Sequence, residues 1–374
     1  MIKLPKIALV YDRVNKFGGA ERVLEALHQL YPSAPLYTSV YDPDATPWTH
    51  GWDVRPSGLN RFPPFRRRHS WLAPLMPYAF ESLDLSTFDL VISVTSAEAK
   101  GILTQPHQLH LCYLLTPTRY LWSHTFNYQG RGVKRLFTAP YISSLRRWDY
   151  IAATRPDAYL AISQTAAARC RHYYRRQPQA VIYPPVATAN FRLKTRSPQA
   201  HPYYLVVSRL VPYKRVDLAV KAFTHLPDQP LVIIGQGSQL SYLKRLAGVN
   251  ITFLGSVTDD QLVAYYQHAQ ALIFPGEEDF GLSIIEAQAA GTPVIAYGRG
   301  GATETIIPGI TGLFFNQPEV ASLRRVLLES QSITWYHQAC RHQAQSFDQR
   351  LFKLKFSQQV DTLWQQHQSH RSKS

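Results

Sequence analysis

Lys6-Ile-Ala-Leu-Val-Tyr11, a loop carrying Gly18-Gly19, and then Val23, Ala26, Leu27 and Leu30 on one helical face decide the fold. The first run is apolar and of strand length. The last four residues recur at spacings of three and four, the period of an amphipathic helix. Strand, glycine turn and helix together form the opening unit of a doubly wound α/β sheet. The same alternation continues outward from it. Phe88–Ser93, His110–Leu115 and Ala158–Ser163 read as further buried strands, the last followed by an Ala/Arg-rich helix through Tyr174. Ala180-Val-Ile-Tyr-Pro184 closes this half, and residues 187–202 are polar and irregular, as a linker is.

Beyond the linker the alternation restarts, with strands at Tyr203–Ser208, Leu231–Ile234, Ile251–Leu254, Ala271–Phe274, Pro293–Ala296 and Gly312–Phe315. Helices fall after Pro212, at Asp259–Gln267 and at Gly281–Ala290. Strands alternating with helices call for parallel sheets covered on both faces. The expected architecture is therefore two Rossmann-like doubly wound domains facing a cleft, spanning residues 1–190 and 191–345. Residues 346–374 are expected to form a C-terminal helix crossing back to the first domain. Its apolar residues, from Phe347 to Leu363, look too widely spread for one narrow stripe, and Gln365–Ser374 are expected to fray.

At 374 residues, 45% hydrophobic and 17% charged, the composition is that of a globular two-domain protein. Apolar runs of four or five residues are buried strands, not spans, and Met1–Lys6 leads into a strand without a signal region. The sequence reading accordingly places the protein in the cytoplasm. Cys112, Cys170 and Cys340 are scattered and lack metal spacing, which points to buried free thiols. Forty Lys and Arg against 25 Asp and Glu give a net charge of +15 and call for polyanionic partners. No helix-turn-helix, RNP-like or zinc-finger pattern accompanies that charge, so nucleic acid is not expected. One basic group, Arg61, Arg66, Arg67, Arg68 and His69, is interleaved with Phe62, Phe65, Trp71, Leu72 and Leu75; another comprises Arg131, Lys134, Arg135, Arg146 and Arg147.

The densest chemical signal is Pro275-Gly-Glu-Glu-Asp-Phe-Gly-Leu-Ser-Ile-Ile-Glu286. Glu278 follows a strand, Glu286 lies about two turns into the next helix, and Gly281 and Leu282 can offer backbone N–H groups to an anion. Carboxylates beside an anion site make sense when the ligand also carries hydroxyls; a solvated acidic loop is the other reading. In Ser208-Arg-Leu-Val-Pro-Tyr-Lys-Arg215, Arg209 ends a strand and Lys214 stands at a helix start, where a cation works against the dipole unless a diphosphate binds there. Ordinary surface charge is the alternative. Gly18-Gly19-Ala20-Glu21, Gly235-Gln-Gly237 and the flexible loop Gly298-Arg-Gly-Gly301 add backbone that can approach a ligand, although no GxGxxG is present. Asp42-Pro-Asp44 matches a metal-binding DxD in spelling only, and no metal site is expected.

Together these residues resemble family 4 of the retaining glycosyltransferases, which have the two-Rossmann-domain GT-B fold, over essentially the whole chain. Glu278-Asp-Phe-Gly-Leu-Ser-Ile-Ile-Glu286 is similar to that family's Glu-x7-Glu motif, and Ser208-Arg-Leu-Val-Pro-Tyr-Lys214 to its diphosphate motif. Thr116-Pro-Thr-Arg-Tyr-Leu-Trp122, Leu145-Arg-Arg-Trp-Asp149 and Arg155-Pro-Asp157 with Ser163 resemble a bacterial subgroup of O-antigen and exopolysaccharide mannosyltransferases. The resemblance implies an N-terminal acceptor-side domain and a C-terminal domain binding a nucleotide diphosphate sugar, GDP-mannose favoured. It implies hexose transfer to a glycan or lipid-linked acceptor without a metal or other cofactor. Glu278 would contact sugar hydroxyls and Glu286 the ribose, with Arg209 and Lys214 on the diphosphate and Gly19 backing it. Phe280, Gly281 and Leu282 would contribute backbone contacts.

Two positions depart from the subgroup: Leu115 stands where it carries His before Thr-Pro, and Ser123 where it carries Asp after Trp. That substitution implies a different donor sugar, a stand-in such as His110 or His124, or a catalytically impaired binding or scaffold protein. The basic and aromatic segment Arg61–Leu75 fits either a solvated loop or an anionic membrane surface at the inner face of the plasma membrane.

Overall fold

A computed structural model describes residues 5–62, 64, 66, 74–123, 125, 133–191, 193 and 202–371. Its contacts divide the chain into one unit of Met1–Tyr183 with Phe352–Ser374 and another of Pro184–Leu351. The sequence reading drew these divisions at residues 191 and 346.

The first unit runs β1 (Ile7–Tyr11), α1 (Gly19–Leu30), β2 (Leu36–Thr38), β3 (Val54–Pro56), α2 (Met76–Glu81), β4 (Leu90–Thr95), β5 (Leu109–Leu114), α3 (Val133–Ala152), β6 (Ala158–Ala161), α4 (Gln164–Tyr174) and β7 (Ala180–Val181). These strands form one sheet in the order β3-β2-β1-β4-β5-β6-β7, and every pairing is parallel. β4 and β5 are buried along their whole lengths, which is why they read as unbroken apolar runs. The strand order reverses between β1 and β4. There the buried Asp12 carboxylate accepts hydrogen bonds from Thr95 Oγ1 (2.8 Å), Ser96 N (2.7 Å) and Ala99 N (2.9 Å), tying the end of β1 to the turn leaving β4.

The second unit runs β8 (Tyr203–Val207), α5 (Val216–Thr224), β9 (Leu231–Ile234), α6 (Leu240–Leu246), β10 (Ile251–Gly255), α7 (Asp259–His268), β11 (Ala269–Phe274), α8 (Leu282–Ala289), β12 (Val294–Tyr297), α9 (Ala302–Thr305), β13 (Gly312–Phe315), α10 (Val320–Gln331) and α11 (His337–Gln345). Its sheet, β10-β9-β8-β11-β12-β13, is likewise parallel throughout. The core joins Ile233, Ile273, Ile295 and Phe315 of the sheet to Phe223, Leu323 and Leu327 of the helices. α7 opens on a capping box, Thr258 with Gln261. The two doubly wound α/β domains expected from the alternation are present.

The last helix, α12 (Gln349–Arg371), differs from expectation. Its buried residues are Phe352, Phe356, Val360, Leu363 and Trp364, a single stripe at helical spacing, while Leu351 and Leu354 are exposed. Phe347 lies before the helix, against Phe280. The helix also continues to Arg371, within the stretch expected to fray. There His367 and Arg371 reach the carbonyl of His107. On the first unit, the Phe352 and Phe356 rings meet Tyr113, whose hydroxyl donates to Ile182 O at 2.7 Å.

The motif residues between Thr116 and Ser163 are largely scaffold. Lys100 and Asp149, both fully buried, form an ion pair at 2.5 Å. Asp149 also accepts from Thr118 Oγ1 and Trp122 Nε1, each at 2.7 Å, and Lys100 donates to Ala97 O. Arg155 pairs with Glu81, Asp157 accepts from His110 N at 2.7 Å, and Ser163 caps α4 by accepting from Ala166 N. A buried charge pair is costly to break from one side, because the surviving charge is left desolvated. Lys100→Met or Asp149→Leu alone is therefore expected to lower unfolding stability in urea by about 3–5 kcal/mol, whereas the two together recover a large part of it. Additive losses in the double variant would contradict the pairing.

Candidate functional site

The candidate residues divide between the units. Gly19 is the first residue of α1, in the first unit, behind a Gly18 N-cap of extended backbone. Nearby, the buried Glu21 accepts from Tyr11 Oη at 2.7 Å; burial and then the Glu21 charge push the Tyr11 hydroxyl well above its ordinary range. All the other candidates lie in the second unit.

There the segments leaving β8, β9, β11 and β12 are packed main chain against main chain. Ser208 N and Leu210 N donate to Ile234 O (3.1 Å) and Gln236 O (2.8 Å), an approach that a Cβ on Gly235 or Gly237 would block. Gly276 lies against the next stretch: a Cβ there would come within 2.8 Å of Lys214 O. Gly301 N donates to Glu278 O at 2.8 Å, and side chains at Gly300 or Gly301 would overlap the backbone of residues 278–280. The Gly298–Gly301 loop, read from the sequence as a flexible element, is thus a seat for the Glu278 backbone.

On these seats Lys214 and Glu278 meet in a direct ion pair, with side-chain exposures of 12% and 16%. Lys214 is not inside α5. It ends a 3-10 turn, Pro212–Lys214, and Arg215 follows in a left-handed conformation with φ 53° before α5 begins. The helix dipole consequently bears less directly on Lys214 than the sequence reading expects. Tyr213 lies near both cations. The Lys214 ammonium lies 5.5 Å and the Arg209 guanidinium 6.0 Å from its ring centroid, and Arg209 donates to its hydroxyl. Arg209 itself is exposed.

Glu286 has a different partner. It is 4% exposed, on α8, and accepts from the fully buried Tyr266 hydroxyl at 2.8 Å. Tyr266 is held in turn by Thr292 Oγ1, which donates to its carbonyl at 2.5 Å. Gly281 caps α8 with φ 90°, Leu282 is the first helical residue, and Phe280 is buried against Phe347. The structure thus brings Lys214, Glu278, Arg209 and Tyr213 together and holds Glu286 separately through Tyr266. Sequence reasoning missed both tyrosines as site residues. Tyr213 lies within the quoted Arg–Lys motif, whereas nothing in the pattern singles out Tyr266.

Leu115 follows β5 and is 8% exposed, its N–H donating to Thr95 O at 2.8 Å. His110 does not stand in for the expected imidazole. It is fully buried near the opposite end of the same strand, about 17 Å away at a strand rise of ~3.3 Å per residue, and bonds Ser93 Oγ at 2.8 Å. His124, Arg67, Arg68, His69, Phe65, Trp71, Leu72 and Arg131 lie outside the described residues, as do the side chains of Lys134 and Arg135. Asp42 is buried and Asp44 exposed, so the DxD does not present a pair. Among the described residues, no group of three or more His, Cys, Asp or Glu could hold a metal ion. All three cysteines are buried and free.

Residues 188–344 match the family model of the group 1 glycosyl transferases. A GDP-mannose-dependent monoacylated alpha-(1-6)-phosphatidylinositol monomannoside mannosyltransferase of Corynebacterium glutamicum is 36% identical over 137 residues, 33% of this chain. The chain covers about a third, 36%, of that relative's length. The fold is shared more widely. The sucrose-phosphate synthase of Thermosynechococcus elongatus matches with a TM-score of 0.75 at 20% identity, over 96% of this chain and 98% of that one. The Anabaena protein HepE in complex with UDP-glucose matches with a TM-score of 0.70 at 19% identity, over 96% and 100%.

Burial pushes the His110 imidazole down to about 3. In the unfolded chain it titrates near 6.5, so between those values the unfolded state binds the extra proton. Its contribution to stability is present above about pH 6.5 and is lost as pH falls toward 3, at up to about 1.4 kcal/mol per pH unit. Urea unfolding at pH 7.5 and 5.5 is expected to show a shallower decline in His110→Asn than in the parent protein; equal declines would contradict it.

Proposed function

We propose that the chain is a retaining, metal-independent glycosyltransferase that moves a hexose from a nucleotide diphosphate sugar to a glycan or lipid-linked acceptor. The observation that carries this reading is the meeting of Lys214 and Glu278 on glycine-seated backbone at the carboxyl ends of adjacent parallel strands, where α/β sheets bind ligands. A cation beside a carboxylate matches a ligand that joins phosphate to sugar. Lys214 and Arg209 balance the diphosphate, Glu278 accepts from the sugar hydroxyls, and Glu286 serves the ribose. Phe280, Gly281 and Leu282 contribute backbone at the head of α8. The match of residues 188–344 to the group 1 model supports a donor domain here. GDP-mannose is favoured by the relative named for it, while the UDP-glucose complex of the structural neighbour keeps UDP sugars in the screen.

In the reaction proposed, the bond from the sugar anomeric carbon to the β-phosphate oxygen breaks as the acceptor hydroxyl bonds to that carbon on the same face. The acceptor proton passes to the leaving phosphate oxygen. The protein's part is to neutralise the charge growing on that oxygen, the work of Lys214 and Arg209. Attachment at the inner face of the plasma membrane follows from the same reading. Arg61 and Phe62, both exposed, offer a cation and an aromatic ring to anionic headgroups. Among the described residues no helix is long and apolar enough to cross a membrane.

A second reading, a GT-B-like binding protein with impaired catalysis, is favoured by Leu115 together with the burial of His110. Three measurements test these readings. In a thermal-shift screen of nucleotide diphosphate sugars, GDP-mannose is expected to raise Tm most; no shift with any donor would remove the donor site. Lys214→Ala and Glu278→Gln are expected to lower turnover by about 100-fold or more while remaining folded. A gain in mannosyl transfer by Leu115→His would show that the missing imidazole limits the rate; donor binding without turnover in either form would favour the binding protein.

A further inference from the structure

Lys214 and Glu278 are each needed by a different part of the proposed donor, yet in the structure they are each other's partner. Both main chains are closely seated. Gly276 lies against Lys214 and Gly300-Gly301 against Glu278, at separations that exclude even a Cβ. At 12% and 16% exposure the pair is only partly screened by water, so separating the charges leaves each one poorly solvated.

We infer that this ion pair discriminates between the intact sugar nucleotide and the sugar-free nucleoside diphosphate. The inference rests on the donor-site reading above. A diphosphate alone draws Lys214 away and leaves the Glu278 carboxylate half-buried, without its counterion and beside a new anion; like charges at that range oppose binding. An intact donor delivers hydroxyls to the same carboxylate, which accepts their hydrogen bonds in place of the ammonium. The sugar thus offsets the cost of opening the pair, and the diphosphate left after transfer must bear it unaided. Glu278 is on this account more than a sugar ligand. It weakens the hold on the spent nucleotide, and so favours its release.

Calorimetric titration of the full chain with GDP and GDP-mannose, with UDP and UDP-glucose alongside, tests this. The wild-type protein is expected to bind the sugar nucleotide at least about tenfold more tightly than the corresponding diphosphate. Glu278→Gln removes the charge but keeps the shape. It is expected to bind the diphosphate about five- to tenfold more tightly than wild type, and the sugar nucleotide no better than wild type. Glu278→Ala should show the same gain for the diphosphate and a larger loss for the sugar nucleotide. The inference is overturned if Glu278→Gln and Glu278→Ala, melting at the wild-type temperature, bind diphosphate no better than wild type. Should both variants fold poorly, equal wild-type affinities for diphosphate and sugar nucleotide overturn it as well. If none of the four ligands binds wild type, the donor-site reading itself has failed and this inference falls with it.

Discussion

A parallel strand cannot be followed directly by its neighbour, because the chain must return along the outside of the sheet before pairing again. Every pairing in both sheets obeys this constraint. It brings the outgoing loops of each unit to one edge. In the second unit that edge carries Arg209 after β8, Gly235 after β9, Gly276 and Glu278 after β11, and Gly300 after β12. The charged candidates Arg209 and Glu278 thus leave adjacent strands at the same edge.

Loops brought to one edge still need to be held, and here the main chain does most of the holding. Residues 278–280 pack closely on Gly300-Gly301, and the chain at Lys214 on Gly276. The first unit solves the same problem with charge. Asp12 gathers N–H and hydroxyl donors from the turn after β4, and Lys100 with Asp149 ties the following segment to α3. Such a pair adds little net stability over an apolar substitute, but it admits few alternative packings.

The elements most legible in the sequence are those whose signal is local. Leu231–Ile234 and Gly312–Phe315 appear in the structure with the bounds read from their apolar runs, and the strand–helix alternation is enough to specify two doubly wound sheets. β2 and β3, three residues each, are too short for any pattern, and α3 runs unbroken through Pro140, which reads as a break. The α12 stripe looks wider in the sequence than it is, because Phe347 precedes the helix and Leu351 and Leu354 face water. At the candidate site the charged residues were visible by spacing, but their partners were not. Lys214 meeting Glu278 and Tyr266 holding Glu286 are contacts between residues 64 and 20 positions apart in sequence, and no local period reports them.

The division at Pro184 and Phe352 makes the second unit an insertion within the first. Where the chain passes out and back it is laced together: Val186 N donates to Phe347 O at 3.1 Å, Gln349 N to Val186 O at 2.9 Å, and Thr188 Oγ1 to Asp348 at 2.5 Å. Synthesis from the N-terminus therefore delivers the two units in an uneven order. The inserted unit has its full complement of strands while the enclosing one still lacks α12, and with it the Phe352 and Phe356 rings that pack on Tyr113. Until the ribosome releases that helix, the apolar face around Tyr113 stays uncovered, an interval in which a nascent chain is open to misassembly. The domain begun first is the one finished last.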